Sequence, residues 1–134
     1  NLLREFSTSP DPAEAVRQRL RDQEPMPGFS HWLYPDGDPR AKMLMRYLAD
    51  HRPETDAFTR VSKVIDTMKS AAGIKPNVDL ALAAVGATYD LPPGAALSLF
   101  ALGRTAGLVA HAIEQQHRPG LIRPRARYTG PTPK

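Results

Sequence analysis

Pro27-Gly28-Phe29-Ser30-His31-Trp32-Leu33-Tyr34-Pro35-Asp36-Gly37-Asp38-Pro39-Arg40 is the stretch that decides how the rest of the chain is read. It sets a histidine on a loop bounded by glycine and proline, with an arginine nine residues later at the start of a helix. Asp38 can cap the orphan backbone N–H groups of that helix. Pro39 suits the first helical position, where its missing N–H costs nothing and its fixed φ is already helical. A neutral imidazole and a guanidinium held this way suit recognition of a carbonyl next to a carboxylate. The plainer reading of His31 is a partly exposed loop histidine beside Trp32 and Tyr34. Gly28 favours the functional one, because it permits a tight loop and lets a ligand approach the backbone.

Working outward, prolines and glycines cut the 134 residues into helical pieces. Asp11-Pro12 opens a helix to about residue 21, with Ala13, Val16 and Leu20 at helical spacing. Residues 23–38 read as loop. The helix that begins at Pro39 runs to about residue 51, with Met43, Leu44, Tyr47 and Leu48 expected on one apolar face, and Pro53 stops it. The next runs from about 55 to 72 on a stripe of Phe58, Val61, Val64, Ile65 and Met68, with Gly73 as C-cap. Asn77 caps a helix over about 78–89, which Asp90-Leu91-Pro92-Pro93 breaks. A long helix over about 94–116 follows and ends before Pro119. The tail, with Pro124, Pro131, Pro133, Gly120 and Gly130, is expected to be irregular and basic. The pattern predicts an all-α chain without a significant sheet.

The long helix is apolar almost all round: Ala95, Leu97, Leu99, Phe100, Leu102, Leu108, Val109, Ile113. Its length approaches a membrane span, but Arg104 lies near its middle, and a central charge is expensive in lipid. The expectation is a deeply buried core helix, not a membrane span. Arg104 in such surroundings needs an anionic partner, either a structural acid or a ligand carboxylate. His111 is expected to be a satisfied core histidine. His51 and His117 fall at helix ends, where the dipole favours a protonated imidazole.

Asp79 falls in the first turn of its helix, which the macrodipole favours by itself. Its functional reading is a general base taking a carbon-bound proton, with Leu80, Ala81, Leu82, Ala83 and Ala84 supplying apolar surroundings. Arg123-Pro124-Arg125-Ala126-Arg127 is either a solvated basic tail or an anion clamp. Asp36 and Asp38 do not make a calcium loop, since no glutamate follows at the right spacing and Pro39 intrudes. No metal is expected.

With 41% apolar and 24% charged residues, the composition is that of a globular protein. The absence of cysteine excludes disulfides and thiolate chemistry and mildly favours the cytoplasm. A net charge of +4 without an aromatic basic platform argues for anionic small ligands over nucleic acid. Asn1-Leu2-Leu3-Arg4-Glu5-Phe6 reads like the last turns of a helix, so a fragment of a longer protein is expected.

Together, the order of these segments resembles the C-terminal part of the citrate synthase family. The residues that carry the resemblance are Pro27 to Arg40, Pro76-Asn77-Val78-Asp79, Phe100-Ala101-Leu102-Gly103-Arg104, Ala110-His111, and Arg123-Pro124-Arg125 with Tyr128-Thr129-Gly130, which looks bacterial. The resemblance implies an all-helical, homodimeric enzyme that condenses an acyl-CoA, usually acetyl-CoA, with oxaloacetate and then hydrolyses the thioester. It requires no resident cofactor. By the same resemblance Asp79 takes the acyl proton and His31 polarises the oxaloacetate carbonyl. Arg40, Arg104 and Arg123 hold carboxylates, the last across the subunit boundary. Gly28, Phe29, Ser30 and Asn77 line the CoA. Residues 1–84 correspond to the small domain, and 85–134 to the return into the large domain.

Three departures from the family pattern stand out. Its other catalytic histidine belongs to a segment before residue 1, so the 134 residues alone are expected to be inactive. Ser30 replaces the usual glycine. Pro35 stands where a Lys or Arg usually points to a CoA phosphate. These leave room for a 2-methylcitrate synthase or a citryl-CoA lyase-like enzyme, and for a non-catalytic binding or assembly module built on the same fold.

Overall fold

The structure, a computed structural model, describes residues 5–6 and 9–117. Those residues form five α-helices: α1 Pro12–Arg21, α2 Pro39–His51, α3 Asp56–Ala72, α4 Val78–Thr88 and α5 Ala95–His117. The chain divides into two compact units, Asn1–Ala101 and Leu102–Lys134. The expected basic tail, with Arg123, lies outside the described residues.

The first unit explains the helix boundaries. Asp11, Asp38, Thr55 and Asn77 each sit at an N-cap in extended backbone and accept from a first-turn N–H. Such a cap is worth about 1 kcal/mol. Pro12 and Pro39 occupy first helical positions, and Gly73 ends α3 in the left-handed region with φ +70°.

In this unit α1 packs on α3, α3 on α4, and α2 on α4. The core joins Phe6, Val16, Phe29, Leu48, Val61, Val64, Met68, Leu80 and Ala84. Burying each of the larger of these contributes roughly 1.5–3 kcal/mol. The α1 and α3 stripes face inward as expected. The α2 face is rotated from expectation. Ala41 and Leu48 are buried and Met45 packs against the core, whereas Met43 and Tyr47 are exposed. Positions 41, 45 and 48 share one helical face with period 3.6, and a small Ala41 lets α2 approach closely.

Helix α5 also departs from expectation. None of its residues is buried; Leu97 is 72% and Leu102 71% exposed. An apolar surface on every side needs neighbours on every side, and the described residues hold no helices beyond the four that line the core. By length and composition α5 could cross a bilayer, although Arg104 sits near its centre. His111 likewise is not a core histidine. It is exposed and lies 3.6 Å from Glu114. His51 and His117 bind the carbonyls of Tyr47 and Ile113, as helix-end imidazoles do.

Candidate functional site

The loop that carries His31 is tied to the start of α4 by backbone. Ser30 N–H donates to Lys75 O at 2.9 Å and Asn77 N–H to Gly28 O at 2.9 Å, around an antiparallel bridge between Phe29 and Pro76. The Asn77 amide adds a bond from Nδ2 to Ser30 O at 3.1 Å, while its Oδ1 accepts from the N–H groups of Asp79 and Leu80. One side chain thus caps α4 and fixes the loop. Gly28 adopts φ +91°, and a Cβ there would lie 3.1 Å from Leu80 Cβ, so the close approach of loop to helix requires glycine. Phe29 inserts its ring into the core, which leaves only its backbone to offer a ligand.

Asp38 links this assembly to α2. Its Oδ1 accepts from Arg40 N at 3.0 Å and Arg40 Nε at 2.9 Å. Its Oδ2 accepts from Arg40 Nη2 at 2.8 Å and from Val78 N at 3.0 Å. Arg40 above all, with the two backbone donors, pulls the carboxyl down from 3.8 to about 2 against the effect of burial. The Arg40 guanidinium is raised above its ordinary value, first by the Asp38 bond and by smaller attractions to Tyr34 and Asp79.

His31 stands opposite. Its Nδ1 accepts from Leu33 N–H at 3.2 Å, which assigns the proton of the neutral ring to Nε2. Nε2 is 3.5 Å from Arg40 Nη2. The imidazole edge and the guanidinium thus lie side by side, a pair suited to a ligand oxygen. Tyr34 packs against the imidazole at 5.1 Å and beneath Arg40 at 5.4 Å. A small cleft of about 120 Å³ opens beside His31, Tyr34, Ser30 and Lys75. A larger one of about 550 Å³ is lined by Asp36, Lys42, Phe58 and Lys69.

Of the residues singled out from sequence, the fold brings His31, Arg40, Asp79, Asn77, Gly28, Phe29 and Ser30 to one end of the first unit. Asp79 is exposed there, and Leu80, Ala81, Leu82 and Ala84 turn into the core, so the expected apolar surroundings of its carboxylate are not present among the described residues. The helical period sends neighbours of a surface residue inward. Arg104 lies in the second unit. Its guanidinium is exposed, not buried, and folds over Gly107, where a Cβ would collide with it. Arg123 lies outside the described residues. Sequence reasoning missed Tyr34 and the second role of Asp38. The aromatic between His31 and Arg40 was a visible signal for the first, but the contact of Asp38 with Val78 spans forty residues and had none.

The profile of the family described as citrate synthase, C-terminal domain, matches residues 1–125. A relative from Bacillus subtilis strain 168, citrate synthase 2, is 33% identical over 133 residues, which is 97% of this chain and 36% of that protein. The solved structure of citrate synthase from Thermotoga maritima superposes with a TM-score of 0.76 at 35% identity over 98% of this chain and 37% of that one. Citryl-CoA lyase from Hydrogenobacter thermophilus gives 0.79 at 27% identity over 99% of this chain and 56% of that one. An all-helical fold with this histidine loop defines a citrate synthase-like protein. The chain belongs to the citrate synthase family, and it spans little more than a third of the length of the curated relative.

Proposed function

We propose that this chain provides the carbonyl-polarising and proton-abstracting side of an enzyme condensing an acyl-CoA, acetyl-CoA first, with oxaloacetate. The observation that carries the reading is the 3.5 Å approach of His31 Nε2 to Arg40 Nη2 beside the helix start that bears Asp79. In the reaction, the Asp79 carboxylate takes a proton from the acyl methyl group. The resulting carbon nucleophile forms a bond to the oxaloacetate carbonyl carbon. The carbonyl π pair moves to oxygen, where the His31 Nε2–H stabilises it. Water then cleaves the thioester and CoA leaves as the thiol. Arg40, with Arg104 and Arg123, holds the carboxylates as bidentate partners. Gly28, Phe29, Ser30 and Asn77 present backbone and amide to the CoA. The enzyme acts in the cytoplasm as a homodimer without a resident cofactor, and residues 1–84 move as its small domain.

The test is thiol release from acetyl-CoA and oxaloacetate by the full-length protein. Turnover by the full-length protein and none by the 134 residues alone are expected. A full-length protein that releases no thiol from any acyl-CoA overturns the reading, and turnover by the 134 residues alone overturns the expectation that they are inactive by themselves. The likeness to citryl-CoA lyase supports a second reading, in which the same site cleaves citryl-CoA. Faster cleavage of citryl-CoA than condensation by the full-length protein establishes that reading over the first.

A further inference from the structure

Asp38 differs from Asp11, the other carboxylate that caps a helix among the described residues. Its side chain is fully buried, and both oxygens are filled by four donors: three from Arg40 and one from Val78. A carboxylate has about four acceptor sites, so none is left for substrate. Asp11 provides the internal comparison. It too precedes a proline and caps a helix, accepting from Ala13 N at 3.1 Å, but it is half exposed and pairs with Lys63 at the surface. Capping α2 alone therefore needs neither burial nor the fork around Arg40.

We infer that Asp38 is a positioning residue, whose carboxylate holds the Arg40 guanidinium by Nε and Nη2 while fixing the start of α4 through Val78. The inference rests on the proposed function. Holding two of its nitrogens leaves Arg40, 44% exposed, with its remaining edge turned to a ligand carboxylate. The same oxygen that binds Nη2 sets where Val78, and hence Asp79 one residue on, begins. Arginine position and base position thus depend on a single group. An asparagine in its place keeps the volume but directs an amide N–H₂ at one pair of donors, so Arg40 loses a partner in either orientation, and Val78 loses its own as well when the amide takes the place of Oδ2.

The test is steady-state kinetics on the full-length enzyme with Asp38→Asn, Arg40→Lys, the double variant, and Asp11→Asn as the capping control. Asp38→Asn is expected to raise the oxaloacetate KM at least about tenfold, with helix content unchanged, and the acetyl-CoA KM within about twofold. The double variant is expected to have the oxaloacetate KM of Arg40→Lys alone, because Asp38 acts on oxaloacetate binding through Arg40. Asp11→Asn is expected to leave both KM values unchanged. An unchanged oxaloacetate KM in Asp38→Asn, or additive effects on that KM in the double variant, overturns the inference. Should Asp38→Asn fail to fold, Asp38→Glu, which keeps the charge but shifts it by a methylene, is expected to show the same selective rise in KM; its absence overturns the inference equally. A wild-type enzyme without thiol release counts against the proposed function instead.

Discussion

His31 Nε2 and Arg40 Nη2 stand 3.5 Å apart, one on the loop and the other at the start of α2. Leu33 N–H occupies Nδ1 and so leaves Nε2 as the donor of the neutral ring. The Asp38 fork fixes the guanidinium from behind. Two nitrogens held side by side, one by the loop and one by the Asp38 fork, make a site for oxygen that is already organised, so little reorganisation remains for the reaction.

That arrangement predicts a large effect of His31→Ala. In the full-length enzyme kcat is expected to fall by about 10²–10³-fold, the range for loss of one donor to a developing oxyanion. The acetyl-CoA KM should stay nearly constant. Stopped-time thiol assays at saturating acetyl-CoA check this, and a fall below tenfold contradicts the role.

Ser30 predicts a gain in stability. It sits at φ +63°, in the left-handed region, held there by bonds to Lys75 and Asn77. A residue with a Cβ pays about 1–2 kcal/mol for that conformation, and glycine does not. Ser30→Gly is expected to stabilise the fold by about 0.5–1 kcal/mol, after the larger backbone entropy of glycine in the unfolded chain is subtracted. Urea unfolding followed by circular dichroism should show a higher midpoint at unchanged slope.

Gly28→Ala should do the reverse. The φ of +91° is strained for alanine, and its Cβ would press on Leu80 at 3.1–3.2 Å. A loss of about 2 kcal/mol or more is expected, from the dihedral strain and the displaced loop together. The same unfolding experiment measures it, and a neutral variant would show that the loop can lift from α4 at no cost.

Acid should weaken the fold through Asp38. Its folded pKa of about 2 lies below the ordinary 3.8, so the ionised form is favoured by folding. The stabilisation is complete above about pH 4 and is lost as the pH falls toward 2, a difference of about 2 kcal/mol. Unfolding free energies measured from pH 5 to pH 2 should fall more steeply in the wild type than in Asp38→Asn.

Helix α5 predicts self-association. Leu97, Leu102, Leu108, Val109 and Ile113 are each half exposed or more, a far larger apolar surface than a lone chain usually shows to water. Sedimentation of the 134 residues at micromolar concentration should give oligomers, and Leu102→Glu with Leu108→Glu should shift them toward the monomer. A wild-type monomer at that concentration contradicts the prediction.

The sequence by itself determined where the helices start and stop, because caps, prolines and left-handed glycines act on their own neighbours. Asp11, Asp38, Thr55, Asn77 and Gly73 all mark boundaries within one turn of themselves. It also carried the family, since the histidine loop and Asn77-Val78-Asp79 are local patterns. Only the tertiary structure decided which face of α2 turns inward, that Asp79 is exposed, that α5 is uncovered, and that the carboxylate of Asp38 reaches Val78. Those outcomes depend on which surfaces meet across long stretches of chain, and a spacing rule that sees only one helix at a time holds no information about its neighbours.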